Sequence, residues 1–264
     1  MRNKNKKKIS IITGGAGFLG QQIFQSMMEL NPKKIILIDN SHENIKKFEK
    51  KFSRYKKYFE IYNANIANEN KIKEIYKEII KKYKKIDILI NNASIDYKPV
   101  KTLKTNYSFF DTSVTNWNRD LSVGLTGALI CCKIFSKIMA KRKSGIILNI
   151  ASDLSIIAPD QRLYEHLKMI KPISYSVVKH GLVGLTKYLA SYFGGKNIRV
   201  NSLSPGGIKN NQDKIFIKKI NKLIPMGRMA NKGEYKEAIK YLCSDRSSYL
   251  TGQNIVVDGG RSVI

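Results

Sequence analysis

Seven short runs of apolar residues alternate along the chain with stretches whose apolar residues recur at helical spacing. Strands that are apolar throughout are typical of a parallel sheet with helices on both faces. The alternation therefore predicts an α/β fold, one doubly wound domain over residues 1–264 with a seven-stranded, mainly parallel sheet. Strands are expected at Lys8–Thr13, Lys34–Asp39, Phe59–Asn63, Ile86–Asn91, Gly145–Ala151, Ile198–Ser204 and Asn254–Asp258, and helices near Gly20–Leu30, Glu43–Phe52, Asn70–Tyr83, Val114–Lys141, Tyr175–Phe193 and Asn231–Leu242.

The formal net charge of the 264 residues is +28, although the hydrophobic and charged fractions, 42% and 26%, are those of an ordinary globular protein. Lysines spread over a whole chain mostly form a solvated, self-repelling surface, whereas a nucleic-acid patch is usually clustered and bears arginine. We therefore expect no nucleic-acid partner. An anionic substrate or cofactor fits the positive net charge as well as a nucleic acid would.

The cysteines Cys131, Cys132 and Cys243 form an odd set without a C-x-x-C motif. They match neither a disulfide framework nor a zinc site, so we expect a reducing, cytoplasmic location and no metal. The basic start of the chain and the apolar run after it mimic a secretory signal, but no small-x-small cleavage site follows. Because no apolar run reaches the ~18 residues of a membrane helix, no membrane partner is expected either.

A glycine-rich loop, Thr13–Gly20, follows the first strand and opens the first helix. Glycines in this position allow a tight turn and let backbone N–H groups approach a pyrophosphate. Asp39 ends the second strand, where a carboxylate accepts hydrogen bonds from ribose hydroxyls and repels a 2′-phosphate. Because Gly15, Ala16 and Asn40 offer no arginine for that phosphate, the pattern favours NAD over NADP. The alternative is an aspartate in an ordinary strand-end turn.

Tyr175 and Lys179 are four residues apart, which places both side chains on one face of a helix. A free tyrosine has a pKa near ~10, and an ammonium group one turn away lowers the pKa toward the working range. Leu182, Leu185 and Leu189 continue the pattern as a buried stripe. Taken alone, the pair could equally be a surface contact.

Short motifs occur in a fixed order along essentially the whole chain. They are Thr13–Gly20, Asn91–Ser94, Asn149–Ser152, Tyr175–Lys179, Asn201–Gly207 and Tyr249–Gln253 leading to Val257–Gly260. With these motifs the chain resembles a short-chain dehydrogenase/reductase of the short, single-domain kind, which implies a Rossmann-type fold. Each motif alone is modest, but the set is highly specific.

The resemblance implies an NAD(P)-dependent oxidoreductase that interconverts a secondary alcohol and a ketone by hydride transfer coupled to proton transfer. Tyr175 matches the family's proton donor and acceptor, Lys179 the lysine that lowers its pKa and holds the nicotinamide ribose, and Ser152 the hydroxyl that contacts the reacting oxygen. The cofactor-binding residues implied are Gly14, Gly17, Phe18, Leu19, Gly20, Asp39, Asn65, Ile66, Asn91, Asn92, Ala93, Tyr175, Lys179, Pro205, Gly206 and Ile208.

A second Y-x-x-x-K pair, Tyr164 and Lys168, competes for the catalytic assignment. Tyr164 lies 12 residues after Ser152, close to the family's usual interval, whereas Tyr175 lies 23 residues after it. We nevertheless assign catalysis to Tyr175, because Pro172 breaks any helix that starts at Tyr164. The assignment implies an insertion before Tyr175, and we expect Tyr164 to line the substrate cleft.

The chain departs from the family pattern at several positions. Gly124 stands where the family has a helix asparagine, whose backbone carbonyl serves a proton relay. Asn65 replaces an aspartate that contacts the adenine, and Ser94 replaces a glycine. The spacing of the glycines in Thr13–Gly20 matches larger relatives that act on sugar nucleotides.

The substrate is suggested only by the insertion after Ser152, by the segment that starts at Pro205, and by Gly124. These features resemble a bacterial subgroup in pathways for flagellin-modifying and nonulosonic-acid sugars, which implies an activated or phosphorylated, anionic sugar as the small-molecule substrate. Ser152, Tyr164 and Arg162 are the candidate substrate residues. Lys168, Lys171 and Lys209 could also meet a phosphate. Alternatively, the insertion merely packs a subunit edge.

Two other functions stay open from the sequence. One is a 3-oxoacyl reductase that acts on an acidic carrier protein, which a basic surface would suit. The other is a non-catalytic nucleotide-sensing or nucleic-acid-binding protein that kept the fold. The intact set of Ser152, Tyr175 and Lys179 argues against the last. By resemblance we also expect a homotetramer or dimer built on the helices Val114–Lys141 and Tyr175–Phe193.

Overall fold

The structure, a computed structural model, describes residues 7–95 and 108–264. One sheet holds seven strands in the order β3-β2-β1-β4-β5-β6-β7. All pairings between these strands are parallel, which confirms the expected α/β sheet. The strands are β1 (Ile9–Thr13), β2 (Lys34–Asp39), β3 (Phe59–Asn63), β4 (Ile88–Asn91), β5 (Gly145–Ile150), β6 (Ile198–Pro205) and β7 (Asn254–Val257).

Helices connect the strands, and four of them begin at polar side chains that cap their first turns. Ser41 accepts a hydrogen bond from the backbone N–H of Asn44, and Asn68 does the same for Lys71. The helices are α1 (Phe18–Met28), α2 (His42–Lys51), α3 (Glu69–Tyr83), α4 (Val114–Leu121), α5 (Gly127–Arg142), α6 (Ile173–Phe193), α7 (Lys214–Asn221) and α8 (Lys236–Leu242).

Two helix predictions need correction. The sequence analysis did not predict α7, a short lysine-rich helix that the side chain of Asp213 caps. The helix expected from Asn231 begins only at Lys236. Glu234 explains the delay, because its carboxylate accepts hydrogen bonds from the Asn231 N–H and from Arg228, and so holds a turn in place of helix.

Successive residues of the central strands face opposite sides of the sheet, as the period of a strand requires. Ile11 packs with the α3 and α5 side on one face, and Ile12 packs with α1, α2 and α8 on the other. Phe24 and Phe48 meet edge to face at 5.0 Å within the second layer. Two apolar layers therefore cover the sheet, which explains why its strands read as unbroken apolar runs.

The continuous helical stretch Val114–Arg142 is long and apolar enough to cross a membrane by length and composition alone. However, 56% of its most apolar window is buried inside the protein. Ile134 and Phe135 on this stretch belong to the layer between α3 and the sheet. Core helices pass the same test of length and composition, so packing against the sheet accounts for the apolar sequence.

The predicted insertion folds into short turns that cover the carboxyl edge of the sheet. Residues Gln161–Leu163 and Glu165–Leu167 form 3-10 turns ahead of α6. Leu163, Tyr164 and Met169 pack against Ile220, Ile224 and Met229 of the α7 region. The insertion and α7 thus share a small apolar cluster. Most of the other long connection, Ser94–Asn116, lies outside the described residues.

Gly124 lies in a π-helical turn, Ser122–Thr126, between α4 and α5. A Cβ atom on this buried glycine would lie 2.5 Å from Cγ1 of Val178, on α6. Valine is stiff at χ1 in a helix, so its side chain cannot easily rotate away. The glycine therefore lets the two helices approach closely, and the asparagine that the family pattern places here would not fit.

We expect Gly124→Ala to destabilise the protein by about 1–3 kcal/mol, because the added methyl group overpacks the contact with Val178. Gly194→Ala is the matched control, since a Cβ there meets nothing within 4 Å. The control should be neutral or slightly stabilising, because alanine restricts the unfolded chain. Urea unfolding of both variants measures the difference, and equal stability of Gly124→Ala and the unmodified protein would contradict the packing argument.

Candidate active site

A cleft of about 920 Å³ opens along the carboxyl edge of the sheet. Strand order reverses between β1 and β4, where crevices form in open parallel sheets. Loops that follow all seven strands contribute to the cleft. Its lining includes these residues from the sequence analysis: Gly14, Gly17, Phe18, Leu19, Gly20, Asp39, Asn65, Ile66, Asn92, Ala93, Ser152, Tyr164, Tyr175, Lys179, Pro205, Gly206 and Ile208.

The glycine loop packs tightly between the sheet and α1. The Gly14 N–H donates to the Ile38 carbonyl at 2.7 Å, and the Gly17 N–H donates to the Gly14 carbonyl at 3.2 Å. A Cβ on Gly20 would lie 2.1 Å from the Gly14 carbonyl oxygen, so only glycine fits there. Gly17 precedes α1 and has no side chain to cap it. The first N–H groups of α1 therefore face the cleft, where a pyrophosphate could bind them.

Asp39 has a structural task that the sequence analysis did not foresee. One carboxylate oxygen accepts the Ala16 N–H and the other accepts the Ser41 N–H, both at 3.0 Å. These bonds connect the end of β2 to the glycine loop. A carboxylate offers about four acceptor positions, so two N–H donors leave capacity for ribose hydroxyls.

The loop after β4 is fixed to the glycine loop through Thr13. The Thr13 hydroxyl accepts the N–H groups of Asn92 and Ala93 at 3.0 and 3.1 Å. The Asn92 side chain also donates to the carbonyls of Thr13 and Gly14, each at 3.0 Å. Asn91, in contrast, points into the core and donates to the Asn149 side chain. Thr13 is thus a positioning residue that the sequence analysis missed, although it opens the glycine motif.

The α6 helix carries Tyr175 and Lys179 into the cleft. Lys179 is buried, and its ammonium donates to the Ile150 carbonyl at 2.9 Å. The same ammonium lies 5.5 Å from the centre of the Tyr175 ring. Lys171, from the insertion, places a second ammonium 3.9 Å from that ring. Two ammonium groups therefore lie close to the Tyr175 ring, and nearby positive charge favours the phenolate form of a tyrosine.

Tyr164 and Lys168 do not share a helix face. Lys168 is exposed and takes a left-handed backbone conformation with φ of 51° at the end of a short turn. Tyr164 is buried and packs against Phe216 of α7 with ring centres 5.5 Å apart. Because Pro172 directly precedes α6, the helix begins close to Tyr175, as the proline argument anticipated.

The structure does not place Arg162 in the cleft, nor Lys168 and Lys209, which were expected as possible phosphate contacts. The guanidinium of Arg162 pairs with Asp160 through two hydrogen bonds of 2.9 and 2.7 Å, on the outside of the insertion. Those bonds hold the pKa of Asp160 below its usual value. The sequence could not reveal this, since the pairing depends on how the insertion turns. Lys171 is the cation of the insertion that reaches the cleft.

Ser152 follows β5 and is linked to the end of the chain. Its hydroxyl donates to one oxygen of Asp153 at 2.8 Å, and Arg261 donates to the other at 2.7 Å. All three residues are buried and line the cleft. Neither Asp153 nor Arg261 was predicted as a site residue. The sequence shows that Asp153 directly follows Ser152, but Arg261, which pairs with Asp153, is 108 residues away in the sequence.

The loop after β6 forms the wall opposite the glycine loop. Its Gly206 carbonyl accepts the Tyr235 hydroxyl at 2.9 Å. Burial, and then the negative charge of Asp153, raise the pKa of Tyr235 above its usual value. Tyr235 thus stays protonated and holds the segment that contains Pro205 and Ile208. No sequence motif marked Tyr235 for this task.

Comparisons with known proteins agree with this geometry. The family model described as enoyl-(acyl carrier protein) reductase matches residues 19–262. A 3-oxoacyl-(acyl-carrier-protein) reductase of Thermotoga maritima is 29% identical over 96% of this chain and 97% of its own length. The post-translational flagellin modification protein A of Campylobacter coli is 28% identical over 97% of this chain and 98% of its own. The crystal structure of a short-chain dehydrogenase from Leptospira borgpetersenii with bound NAD+ is 32% identical, covers 97% of this chain and 93% of that one, and has a TM-score of 0.85.

We expect Gly20→Ala to abolish dinucleotide binding, because its methyl group would collide with the Gly14 carbonyl and displace the loop. The measurement is the rise in melting temperature on adding NAD+, which reflects ligand binding to the folded state. Gly184→Ala is the control, since a Cβ there meets nothing within 4 Å. An unchanged NAD+-induced shift in Gly20→Ala would show that the loop does not hold the cofactor.

Proposed function

The chain belongs to the short-chain dehydrogenase/reductase family of NAD(P)-dependent oxidoreductases, and from this membership we propose that it interconverts a secondary alcohol and a ketone on an activated or phosphorylated sugar. The reaction would serve surface-carbohydrate biosynthesis. A bound nicotinamide would supply the hydride transfer, and Tyr175 would exchange the proton with the substrate oxygen.

The environment of Lys179 is the observation that carries the proposal. Burying an ammonium group is costly, yet Lys179 is only 4% exposed. Its position, one turn from Tyr175 and against the Ile150 carbonyl, suits a group that stabilises the phenolate and holds the nicotinamide ribose. Ser152 would contact the reacting oxygen. Tyr175, Lys179 and Ser152 are therefore the proposed catalytic residues.

NAD is the proposed cofactor in preference to NADP. The carboxylate of Asp39 lies at the end of β2, in the cleft, where it would bind the adenosine ribose and repel a 2′-phosphate. The pyrophosphate would lie at the start of α1, with Asn65 and Ile66 near the adenine. Pro205, Gly206 and Ile208 would contact the carboxamide.

A sugar substrate is supported by the chemistry of the cleft beside the proposed catalytic residues. The insertion contributes Tyr164 and Lys171, and the segment before α7 contributes Asn210 and Asn211. Amides and a phenol suit a substrate rich in hydroxyl groups, and an ammonium group suits a phosphate. The similarity to a flagellin modification protein points the same way.

The proposal is tested by a screen for NAD+ reduction, and for NADH oxidation, over sugar phosphates and sugar nucleotides. The second candidate is a 3-oxoacyl-carrier-protein reductase, favoured by the Thermotoga maritima relative. Acetoacetyl-coenzyme A therefore belongs in the same screen. Turnover of acetoacetyl-coenzyme A with none of the sugars would replace the sugar proposal by this candidate. Cofactor binding without turnover of any compound would favour a nucleotide-sensing role.

A homotetramer or dimer in the cytoplasm is proposed for the assembled enzyme. Apolar side chains on α5 and α6 are exposed, among them Leu129, Val177, Tyr188 and Tyr192. The rings of Tyr188 and Tyr192 stack with an angle of 8° between their planes. Such a surface suits contact with a second copy of the chain. Light scattering at micromolar concentration tests this, and a monomer would count against it.

The tyrosine assignment predicts that Tyr175→Phe abolishes turnover and leaves NAD+ affinity nearly unchanged, because the ring and its packing remain. Tyr164→Phe should mainly raise the KM of the substrate, as expected for a residue that binds substrate and transition state alike. Steady-state kinetics with NAD+ titration distinguish the two. An active Tyr175→Phe together with an inactive Tyr164→Phe would reverse the assignment.

The two lysines of the competing motifs provide a matched pair. Lys179→Met should lower both turnover and NAD+ affinity, because one ammonium serves the phenolate and the ribose. Lys168→Met removes the same charge outside the cleft and should change neither. Equal losses in the two variants would indicate a general charge effect in place of the proposed role.

The cofactor preference predicts that NAD+ binds more tightly than NADP+. Asp39→Ala should narrow that gap by more than ~1 kcal/mol, the scale of a charged hydrogen bond. Because Asp39 also holds the glycine loop through Ala16, both affinities should fall. The ratio of the two affinities, measured by calorimetry, cancels that shared loss. Equal affinities in the unmodified protein would contradict the preference.

A further inference from the structure

A buried chain of hydrogen bonds connects the C-terminal end of the protein to Ser152. Arg261 Nη1 donates to Asp153 Oδ2 at 2.7 Å, and the Ser152 hydroxyl donates to Asp153 Oδ1 at 2.8 Å. The Leu154 N–H also donates to Oδ1 at 2.9 Å. Arg261 is 8% exposed, Asp153 is 3% exposed and Ser152 is 5% exposed. We propose that Asp153 and Arg261 are positioning residues that hold the Ser152 hydroxyl for the reaction.

The way in which the carboxylate divides its bonds supports this role. An arginine and a carboxylate pair most strongly through two parallel hydrogen bonds, as Arg162 and Asp160 do on the surface. Arg261 instead contacts one oxygen of Asp153 with one nitrogen, and the other oxygen is directed at Ser152. The pair thus forgoes its strongest geometry in favour of a bond to the serine.

The turn that carries Arg261 is itself fixed. The two carboxylate oxygens of Asp258 accept the N–H groups of Gly260 and Ser262 at 2.9 and 2.8 Å. Asp258 follows β7, so the turn is built on the edge strand of the sheet. The position of the Arg261 guanidinium therefore depends on the same sheet that positions Ser152 after β5.

The chemistry at the serine follows from which atom carries the proton. An ionised carboxylate only accepts, so the hydrogen between Ser152 and Asp153 belongs to the serine. With that hydrogen directed at Asp153, the serine oxygen accepts the Leu154 N–H at 3.2 Å with one lone pair and keeps a second for the hydroxyl of an alcohol substrate. In the reverse direction the hydrogen turns from Asp153 to the ketone oxygen while the serine oxygen keeps its place, so both directions depend on the position that Asp153 gives to Ser152. Asp153 thus sets the resting direction of the Ser152 hydroxyl, and Arg261 holds Asp153 in place.

The inference rests on the proposed function, since it takes Ser152 as the residue that contacts the reacting oxygen. The test compares Arg261→Met, Arg261→Lys and a structural control, Arg199→Met. Arg199 also joins distant segments, donating to the carbonyls of Leu242, Ser244 and Leu250, but it does not line the cleft. Loss of either guanidinium should lower the melting temperature. Only the kinetic result therefore distinguishes a residue that positions Ser152 from one that only stabilises the fold.

Rates are measured as NADH-dependent reduction of 2,3-butanedione, a small activated ketone, and of acetoacetyl-coenzyme A. We expect Arg261→Met to lower kcat about 10- to 100-fold with the KM for NADH unchanged, the scale of a misplaced catalytic group. Arg261→Lys should recover most of the rate, and Arg199→Met should keep it. Equal loss in Arg261→Met and Arg199→Met, or none in either, would overturn the inference.

A crystal structure of the Arg261→Met protein with NAD+ gives a second test that needs no substrate. We expect the hydrogen bond between Ser152 and Asp153 to be lost or redirected. An unchanged distance of 2.8 Å would overturn the inference, whatever the rates. If the unmodified protein reduces neither ketone, the sugar screen decides the proposed function, and the crystal structure alone decides the positioning role.

Discussion

Burial of the parallel sheet on both faces is the constraint on which the rest of this structure depends. Each central strand packs apolar side chains above and below. Several polar side chains that serve the cleft lie at the strand ends. Thr13, Asp39 and Asn91 each end a strand, and Ser152 follows one closely. The carboxyl ends of the parallel strands meet at one edge of the sheet. The reversal of strand order between β1 and β4 opens that edge into a cleft.

Several polar groups at this edge combine support with function. Asp39 holds the glycine loop through Ala16 and is also the proposed ligand of a ribose. Asp153 divides its two oxygens between Arg261 and Ser152. Buried polar groups are costly unless their hydrogen bonds are satisfied, so a fixed network is needed before any of them can meet a ligand. Such a network also explains why a substitution in the supporting residues would change both stability and chemistry.

The insertion determines part of the shape and charge of the cleft beside Tyr175. It packs on α7 through Tyr164 and Phe216, and it brings Lys171 over the ring of Tyr175. The sheet and the glycine loop belong to the fold of the family, while these contacts depend on the insertion and α7. A cation at this point offers a physical reason for an anionic substrate. The proposed choice between a sugar and an acyl thioester therefore depends on the insertion and α7.

The sequence by itself determined the strands, the parallel sheet, the glycine loop and the pairing of Tyr175 with Lys179. These features depend on local periodicity and on spacing within one element, which a sequence shows directly. Pro172 also allowed the choice of Tyr175 over Tyr164 from the sequence, since the effect of a proline on a helix is local. The short helix α7 was not predicted, because a helix of this length depends more on packing than on helix propensity.

Only the tertiary structure decided which distant residues meet. It placed Arg261 against Asp153, put Thr13 beneath Asn92, and directed Arg162 away from the cleft toward Asp160. It also showed that Gly124 lies against Val178, which leaves no room for a side chain. Such contacts are set by how loops turn and how closely helices pack. Neither is encoded in the spacing of residues along the chain, because a hydrogen bond or a steric contact depends on distance in space.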